Sequence, residues 1–401
     1  MDTFSIVLLI SVIVAILVKL YLEYAKLEKT VVSKTTTDAR ERAFQLVDEL
    51  GKTLGKTGPL QITLGFIIII FIVAIALIFH NLGLQEESCK KLDITYKTLT
   101  NETYFRGSTV KQIDIFDASN STLINYHVKS AYNCCCGGEY RNNFVALCAL
   151  EKCISNGCRF LDFEIYSYNN DPIVASSTSN NNFIKETYNA LLLSDVLSFI
   201  TENAFDTLKT NCYNDPLILN FRVMSTNIAM LVKMGDLIEY YLDRGVGSSF
   251  TLLPNYNESA ILNMRMKELR KKIIIICTFN PNNNIIENTK LVKLKKYRNL
   301  IGNGSNCYTY RYNDIVVKNG SVQLNDDTIS KFIIVLPNLD NSIKNFDSVS
   351  SFTNGCQAIC MKHQNLDTNL IGYNNNFEDN GIFSWKFKKQ ELQRQEPPRL
   401  H

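Results

Sequence analysis

The chain has 401 residues, and its 42 lysines and arginines against 39 aspartates and glutamates give a formal net charge of +3. So small a net charge gives no electrostatic reason to expect a nucleic-acid partner. All twelve cysteines lie at or after Cys89. A dense, even set on one side of the chain favours a compartment that permits disulfides, with ordinary buried thiols as the alternative.

Two apolar segments dominate the N-terminus. Phe4–Leu22 and Leu60–Phe79 each come close to the roughly 20 residues that a helix needs to cross a bilayer. A cleaved signal peptide is an alternative for the first segment, although it lacks a basic start and a small-residue cleavage site. The sequence therefore predicts transmembrane helices at 1–22 and 60–80.

The polar loop between these segments, 23–59, is basic. Its basic residues are Lys26, Lys29, Lys34, Arg40, Arg42, Lys52 and Lys56. The positive-inside rule places this loop in the cytoplasm, so the rest of the chain is expected on the extracytoplasmic or luminal side of an integral, two-span membrane protein. Acceptor sequences for glycosylation at Asn101, in the predicted stem 81–119, and at Asn120 would fit that topology without establishing it.

Short apolar runs alternate with helix-like stretches through the remaining chain. The predicted strands are Phe160–Ile165, Pro172–Val174, Leu217–Phe221, Lys272–Cys277, Phe332–Leu336 and Cys356–Met361, and the predicted helices are Phe144–Ile154, Leu193–Phe205 and Ile228–Leu242. This alternation indicates an α/β domain over 120–390, followed by a polar tail, 391–401. A (β/α) barrel is the leading arrangement, with a doubly wound sheet as the alternative.

One predicted strand carries an unusual pair of acids. The segment Gly157–Glu164 is a glycine turn followed by an apolar strand in which Asp162 and Glu164 point to the same face, because side chains alternate along a strand. Two buried carboxylates need a cation or hydrogen-bond donors to compensate them. This strand is therefore the candidate functional site.

The same residues resemble a known family. Leu123–Asn133 is similar to the first strand of the catalytic domain of phosphoinositide-specific phospholipase C, and Gly157–Glu164 is similar to the Gly-Cys-Arg strand with two acids of that family. Further motifs follow in the order of the family: Asp171–Val174, Leu193–Leu197, Asp215–Leu219, Leu269–Ile273, Gly355–Gln357 and Trp385–Lys388. The resemblance implies a distorted TIM barrel with its site at the carboxyl ends of the strands.

The resemblance also implies an altered acid–base pair. In that family two histidines act as general base and general acid on a phosphodiester. By position, the first histidine is replaced by Tyr132 and the second by Ser176. His127 lies five positions before Tyr132 and faces the other side of a regular strand, and His363 has no counterpart in the family. A tyrosine and a serine are poor proton shuttles at neutral pH.

The calcium site that the family implies is altered as well. Asn133 is retained, and Asp162 and Glu164 occupy the paired acidic positions with the two acid types exchanged. Arg222 stands where the last acidic ligand is expected, and it is predicted to pair with either carboxylate and to replace the ion by an internal salt bridge. We therefore expect no cofactor, or Ca²⁺ if the barrel is active.

Two further clusters have structural interpretations. Neighbouring side chains on a strand point to opposite faces, so Cys134–Cys136 are expected to form disulfides to Cys148, Cys153 or Cys158 rather than to grip one metal ion. A basic cluster is favoured as a solvated face over a surface for anionic lipid; it comprises Lys290, Lys293, Lys295, Lys296 and Arg298.

Together these patterns predict a membrane-anchored, phospholipase-C-like barrel without catalytic activity that binds a partner. The expected partners are the lipid bilayer and either an anionic phospholipid or a protein. The alternative is an active metal-dependent phosphodiesterase with a rearranged site around Asn133, Asp162 and Glu164.

Overall fold

The structure is a computed structural model that describes residues 45, 67–75, 86–97, 110–113, 121–179, 184–243, 249–280, 283–378 and 382–395. The chain divides into two compact units, Met1–Leu82 and Gly83–His401. The second unit carries the barrel.

The predicted membrane topology is wrong. The first expected transmembrane helix, 1–22, lies outside the described residues, and of the second, 60–80, residues 67–75 are described and are helical (α1). Within the described ranges no helix has both the length and the apolar character to cross a bilayer. This finding overturns the two N-terminal transmembrane helices and the integral two-span location with an extracytoplasmic barrel.

Strands and helices alternate through the second unit. The strands are β1 (Val110–Lys111), β2 (Tyr126–Ala131), β3 (Phe160–Tyr168), β4 (Asp171–Ala175), β5 (Leu191–Leu192), β6 (Leu217–Val223), β7 (Thr251–Leu252), β8 (Lys272–Phe279), β9 (Leu300–Ile301), β10 (Cys307–Arg311), β11 (Phe332–Leu336), β12 (Ala358–Met361), β13 (Ile382–Phe383) and β14 (Trp385–Phe387). The helices are α2 (86–97), α3 (Leu147–Ser155), α4 (Leu193–Asn203), α5 (Ile228–Leu242), α6 (Glu258–Asn263), α7 (Val292–Tyr297), α8 (Tyr312–Lys318), α9 (Val322–Ser330), α10 (Val349–Thr353) and α11 (Thr368–Asn375).

The main sheet is a curled barrel of parallel strands. Its order is β10-β11-β12-β2-β3-β6-β8, and both β7 and β9 pair with β8 in parallel. Along this sheet β2, β3, β6 and β8 follow one another in chain order, as do β10, β11 and β12, and β12 returns to β2. This is the winding of a (β/α) barrel and not of a doubly wound sheet. Among the described residues no ladder joins β9 to β10. The α/β class and the barrel arrangement predicted from the sequence are thus confirmed.

The barrel strands form where the sequence is most apolar. Ile273, Ile274, Ile275 and Ile276 of β8 are all fully buried, as expected for a parallel strand covered on both faces. The helix α5 begins at Asn227, whose side chain accepts hydrogen bonds from the first backbone amides of the helix. The predicted strands and helices are all present, with boundaries shifted by a few residues. The short strands β9 and β10 escaped prediction because their apolar runs are brief.

Candidate functional site

The acidic pair faces the interior of the barrel. Parallel pairing of β3 with β6 sets Asp162 opposite Asn220 and Glu164 opposite Arg222. Because side chains alternate along both strands, all four side chains point to the same face. They are buried, and Arg222, the most accessible of them, is only 6% exposed.

Arg222 is bonded to both acids. Its Nε lies 2.9 Å from Oδ1 of Asp162 and its Nη2 lies 2.7 Å from Oδ2, so it grips that carboxylate with two parallel hydrogen bonds. Its Nη1 lies 2.7 Å from Oε1 of Glu164, and its Nη2 also donates to Oδ1 of Asn133 at 2.7 Å. The ion pair expected from the sequence is therefore present, and it involves both carboxylates.

Neutral donors complete the environment of Asp162. Nδ2 of Asn220 lies 2.8 Å from Oδ1, and the backbone amide of Asn133 lies 3.1 Å from Oδ2. Each oxygen of Asp162 therefore accepts one hydrogen bond from the guanidinium and one from a neutral group.

Both carboxylate oxygens of Glu164 also accept hydrogen bonds from protein donors. Its Oε1 accepts a hydrogen bond from Nδ2 of Asn133 at 3.3 Å in addition to the one from Arg222. Its Oε2 accepts from the hydroxyl of Tyr166 at 2.8 Å and from the backbone amide of Ser177 at 2.9 Å. All four carboxylate oxygens of the pair thus accept two hydrogen bonds each, which uses the lone-pair positions that a carboxylate offers.

Asn133 links the two acids through an uncommon backbone conformation. Its φ angle is +42°, in the left-handed region that asparagine tolerates better than most residues. Asn133 directs its backbone amide to Asp162 and its side-chain amide to Glu164. The retained asparagine therefore acts in this barrel as a donor to the acids.

The charges of the site stabilise one another. Burial alone lowers the pKa of the Arg222 guanidinium, but the negative charges of Asp162 and Glu164 outweigh burial and raise that pKa well above its ordinary value. The ring of Tyr132 lies 4.9 Å from the guanidinium carbon, in a cation–π arrangement. Burial raises the pKa of Tyr132 against the opposing effect of Arg222, so its hydroxyl stays protonated at neutral pH.

The residues present do not fit a calcium ion. Calcium takes six to eight oxygen ligands at about 2.3–2.6 Å, mainly from carboxylates and carbonyls. Here the oxygens of Asp162 and Glu164 are occupied by protein donors, and the guanidinium of Arg222 lies between the two carboxylates. In the described part of the chain no group of three or more histidines, cysteines or acids is arranged to hold a metal.

The two positions of the family histidines hold structural contacts. The ring of Tyr132 packs edge-on against Tyr140 with ring centroids 5.3 Å apart. Ser176 is fully buried, and its hydroxyl donates to the backbone carbonyl of Tyr140 at 3.0 Å. Neither contact provides a group that exchanges a proton near neutral pH.

Neither histidine of the described barrel is bonded to the acidic pair. His127 places Nδ1 2.7 Å from the carbonyl oxygen of Cys356, and His363 places Nε2 3.2 Å from Sγ of Cys158. Burial lowers the pKa of each imidazole to about 3, so both are neutral at physiological pH.

Three donors of the network were missed from the sequence. Tyr166 lies two residues after Glu164, and Asn220 lies two residues before Arg222, so the two-residue period of a strand could have identified both. Ser177 could not be found in this way. Its amide reaches Glu164 because β4 folds back on β3 with Glu164 opposite Ala175, and this register is a property of the hairpin.

The predicted disulfides of the cysteine triplet are wrong. Cys134–Cys136, Cys153 and Cys158 are all buried free thiols. Cys148 is bonded instead to Cys89, 59 residues earlier. The triplet closely follows β2 and is enclosed by the hydrophobic core. Disulfide pairing cannot be deduced from the spacing of cysteines in the sequence.

The basic cluster is largely neutralised by acids. Lys293 lies 2.9 Å from Asp236 and 2.6 Å from Glu239, both on α5. Lys296 lies 3.6 Å from Glu239, and Arg298 lies 3.9 Å from Glu258. These contacts agree with the interpretation of the cluster as a solvated, ion-paired face.

The fold of the barrel is similar to that of solved phospholipases C. The chain is similar to PLC21 from L. pealei, with 15% identity and a TM-score of 0.50 over 70% of this chain, and to PLC21 from S. officinalis, with 16% identity and a TM-score of 0.51 over 70%. A calcium-dependent phosphoinositol-specific phospholipase C from Pseudomonas sp. is more distant, with 10% identity and a TM-score of 0.40 over 63% of this chain and 94% of that one.

These likenesses establish the fold. The described barrel is a phospholipase-C-like TIM-barrel domain, as the sequence resemblance predicted. The match spans 39% of the length of each PLC21 chain. No protein-family model matches the chain, and no curated protein matches it significantly.

Proposed function

We propose that this chain is a non-catalytic, phospholipase-C-like domain that acts by binding a partner. The observation that carries the proposal is the closed network in which Arg222 is bonded to Asp162, Glu164 and Asn133. A guanidinium is a permanent cation. It supplies the positive charge that the acids require and leaves their oxygens without a free position for a metal or a substrate hydroxyl.

A second line of support is the lack of a proton shuttle. Tyr132 and Ser176 occupy the positions that the family resemblance assigns to the acid–base histidines, and both are buried in structural contacts. Loss of an acid–base group typically reduces the rate about 10²–10⁴-fold. The carboxylates of Asp162 and Glu164 are paired within the protein, so they are unavailable to replace either histidine.

A protein is the favoured partner. An anionic phospholipid would need basic side chains that are free to meet its headgroup. In the cluster around α7, Lys293 is paired with Asp236 and Glu239, and Lys296 with Glu239. Flotation with phosphatidylserine vesicles should therefore recover no more of the chain than neutral vesicles do, and selective recovery at physiological salt would favour lipid instead.

Hydrolysis of phosphatidylinositol with added Ca²⁺ tests the lack of catalysis. We expect no turnover by the full chain under conditions in which the calcium-dependent Pseudomonas enzyme is active. Turnover that is lost in Asp162→Ala would contradict the proposal and favour the alternative, a metal-dependent phosphodiesterase with a rearranged site. Circular dichroism of the variant distinguishes loss of activity from loss of fold.

A substitution that places an acid at position 222 tests whether Arg222 is what excludes a metal ion from the site. Arg222→Glu places a third carboxylate beside Asp162 and Glu164, and such a cluster needs a cation. We expect Ca²⁺ to raise the melting temperature of this variant and to leave that of the wild type unchanged. Arg141→Glu, at an exposed position, is the matched control. A wild-type chain that Ca²⁺ stabilises specifically would contradict the proposed exclusion of the metal.

A further inference from the structure

The helix α2 (86–97) covers part of the barrel domain and is covalently fastened to it. The disulfide between Cys89 and Cys148 joins α2 to α3. Two residues of α2 are buried, Leu92 and Tyr96, and they pack in a small apolar cluster with Ala149 of α3. The other residues of α2 are partly or fully exposed.

A thiol and an imidazole lie beneath this helix. Sγ of Cys158 is 3.2 Å from Nε2 of His363, and both residues are at most 2% exposed. The hydroxyl of Tyr96 donates to the backbone carbonyl of His363 at 2.6 Å. Tyr96 is also close enough to Cys158 for the thiol to influence its pKa, which burial raises most strongly. The buried face of α2 therefore lies over the Cys158–His363 pair.

The pair has the composition of an activated nucleophile. A cysteine within hydrogen-bond distance of a histidine can pass its proton to the imidazole and react as the thiolate. In the covered state, burial raises the pKa of Cys158 well above its ordinary value, although the positive charges of Lys129 and Arg159 act in the opposite direction. Burial also lowers the pKa of His363 to about 3. The covered pair is therefore neutral and inert.

Access of water would reverse this balance. Removing the burial penalty leaves the charges of Lys129 and Arg159 and the adjacent imidazole, which favour a thiolate at Cys158, against the opposing effect of the nearby thiols of Cys153 and Cys212. Reactivity of Cys158 thus depends on whether α2 stays in place.

The disulfide is the strongest attachment of α2. An isolated helix of this length is marginal in water. The noncovalent links of α2 include the 2.6 Å hydrogen bond from Tyr96 to His363, a partly exposed ion pair between Asp93 and Lys152 at 2.5 Å, and a 3.4 Å hydrogen bond from the hydroxyl of Ser88 to the carbonyl of Gly137. Breaking the Cys89–Cys148 bond leaves α2 held to α3 by noncovalent contacts alone.

We propose that Cys158, with His363 as its base, is a site of covalent thiol modification that α2 covers until the Cys89–Cys148 disulfide is reduced. A dithiol reductant would supply two electrons and two protons, forming the two thiols and becoming a disulfide itself. The Cys158 thiol then passes its proton to His363, and the thiolate attacks a low-molecular-weight disulfide. A mixed disulfide forms on Cys158, and the displaced thiolate takes up the proton from His363.

Alkylation by iodoacetamide, followed by mass spectrometry, tests whether α2 shields Cys158 from solvent while the disulfide is intact. The double variant Cys89→Ser/Cys148→Ser represents the reduced state. We expect Cys158 to be alkylated at least about tenfold faster in this variant than in the wild type, because local opening exposes it without global unfolding. Cys277 and Cys307, buried in β8 and β10, are internal controls for global unfolding and should react at their wild-type rates.

The proposal is overturned if Cys158 reacts no faster than Cys277 and Cys307 once the disulfide is absent. Should the double variant fail to fold, wild-type protein reduced with dithiothreitol provides the same comparison, with circular dichroism reporting the fold. The role of His363 is tested separately by His363→Gln in the double variant. That change should slow formation of a mixed disulfide with oxidised glutathione and flatten its pH dependence between pH 5 and 8, the range in which an exposed histidine titrates; an unchanged rate and profile would exclude His363 as the base.

Discussion

Two arginine–aspartate combinations are buried in this part of the barrel, one within β3 and β6 and one just before these strands. The carboxylates of the two combinations are compensated in different ways. Within the strands, Arg222 is bonded directly to Asp162, and every carboxylate oxygen of the network has two donors. Just before the strands, Arg159 and Asp215 are also buried, yet no ion pair joins them among the described residues. Oδ1 of Asp215 accepts from the amide of Ile113 at 3.1 Å, while its Oδ2 has no hydrogen-bond partner in the described ranges.

This difference shows two ways of burying an acid. Arg159 directs its terminal nitrogens to the carbonyl oxygens of Ala204 and Cys212 instead of to Asp215. Burial then raises the pKa of Asp215 to about 7, with Arg159 only partly opposing it. One region surrounds its carboxylates with donors, whereas in the other burial raises the pKa of Asp215.

The largest effect is expected from removing Arg222, the cation that is bonded to Asp162 and Glu164. Arg222→Gln leaves Asp162 and Glu164 buried together without a positive charge and should lower the free energy of unfolding by about 3–5 kcal/mol. Urea denaturation measures this loss. Arg141→Gln, at an exposed position, is the control, and a loss similar to that of the control would show that the network contributes little.

Removing the charge of Asp215, whose Oδ2 has no hydrogen-bond partner in the described ranges, is expected to raise the free energy of unfolding. The pKa of Asp215 is raised in the folded state from 3.8 to about 7, so its burial favours folding below about pH 4 and loses that contribution as the pH rises through 7. Asp215→Asn should therefore stabilise the protein at pH 8 by about 2–4 kcal/mol and flatten the dependence between pH 4 and 7. Unfolding measured across this range checks both features. A variant that is destabilised at pH 8 would show that the wild-type carboxylate is compensated by a contact on its second oxygen.

A smaller effect is expected from removing one neutral donor to Glu164, the hydroxyl of Tyr166. Tyr166→Phe deletes the 2.8 Å hydrogen bond to Oε2 of Glu164 and leaves the amide of Ser177 and the guanidinium of Arg222 in place. The free energy of unfolding should fall by about 1 kcal/mol. Tyr168→Phe, two residues further along β3 and 65% exposed, is the matched control and should change little. Equal losses in the two variants would mean that the hydroxyl of Tyr166 is not a significant donor.

The alternation of strands and helices predicted the barrel, and the two-residue period of a strand placed Asp162 and Glu164 on one face. Their pairing with Arg222 was predicted from the family resemblance, which places Arg222 where an acidic ligand is expected. The remaining contacts depend on the pairing of segments distant in the chain. The amide of Ser177 arrives through a hairpin, and Cys148 bonds to Cys89, so neither contact follows from local spacing.

The prediction of membrane spans shows the limit of composition. Apolar length alone suggested spans at 1–22 and 60–80, but within the described residues no helix has both the length and the apolar character that a bilayer requires.

The position of Arg222 directly opposite Glu164 also has a consequence for folding. A slip of β6 by one residue against β3 would turn Arg222 to the outer face of the barrel and bring an apolar neighbour opposite the acids. Two carboxylates would then remain in the interior without their counterion, which is far more costly than the loss of a few ladder hydrogen bonds. The arginine–acid network therefore selects a single strand alignment against its near neighbours and specifies the register of the barrel.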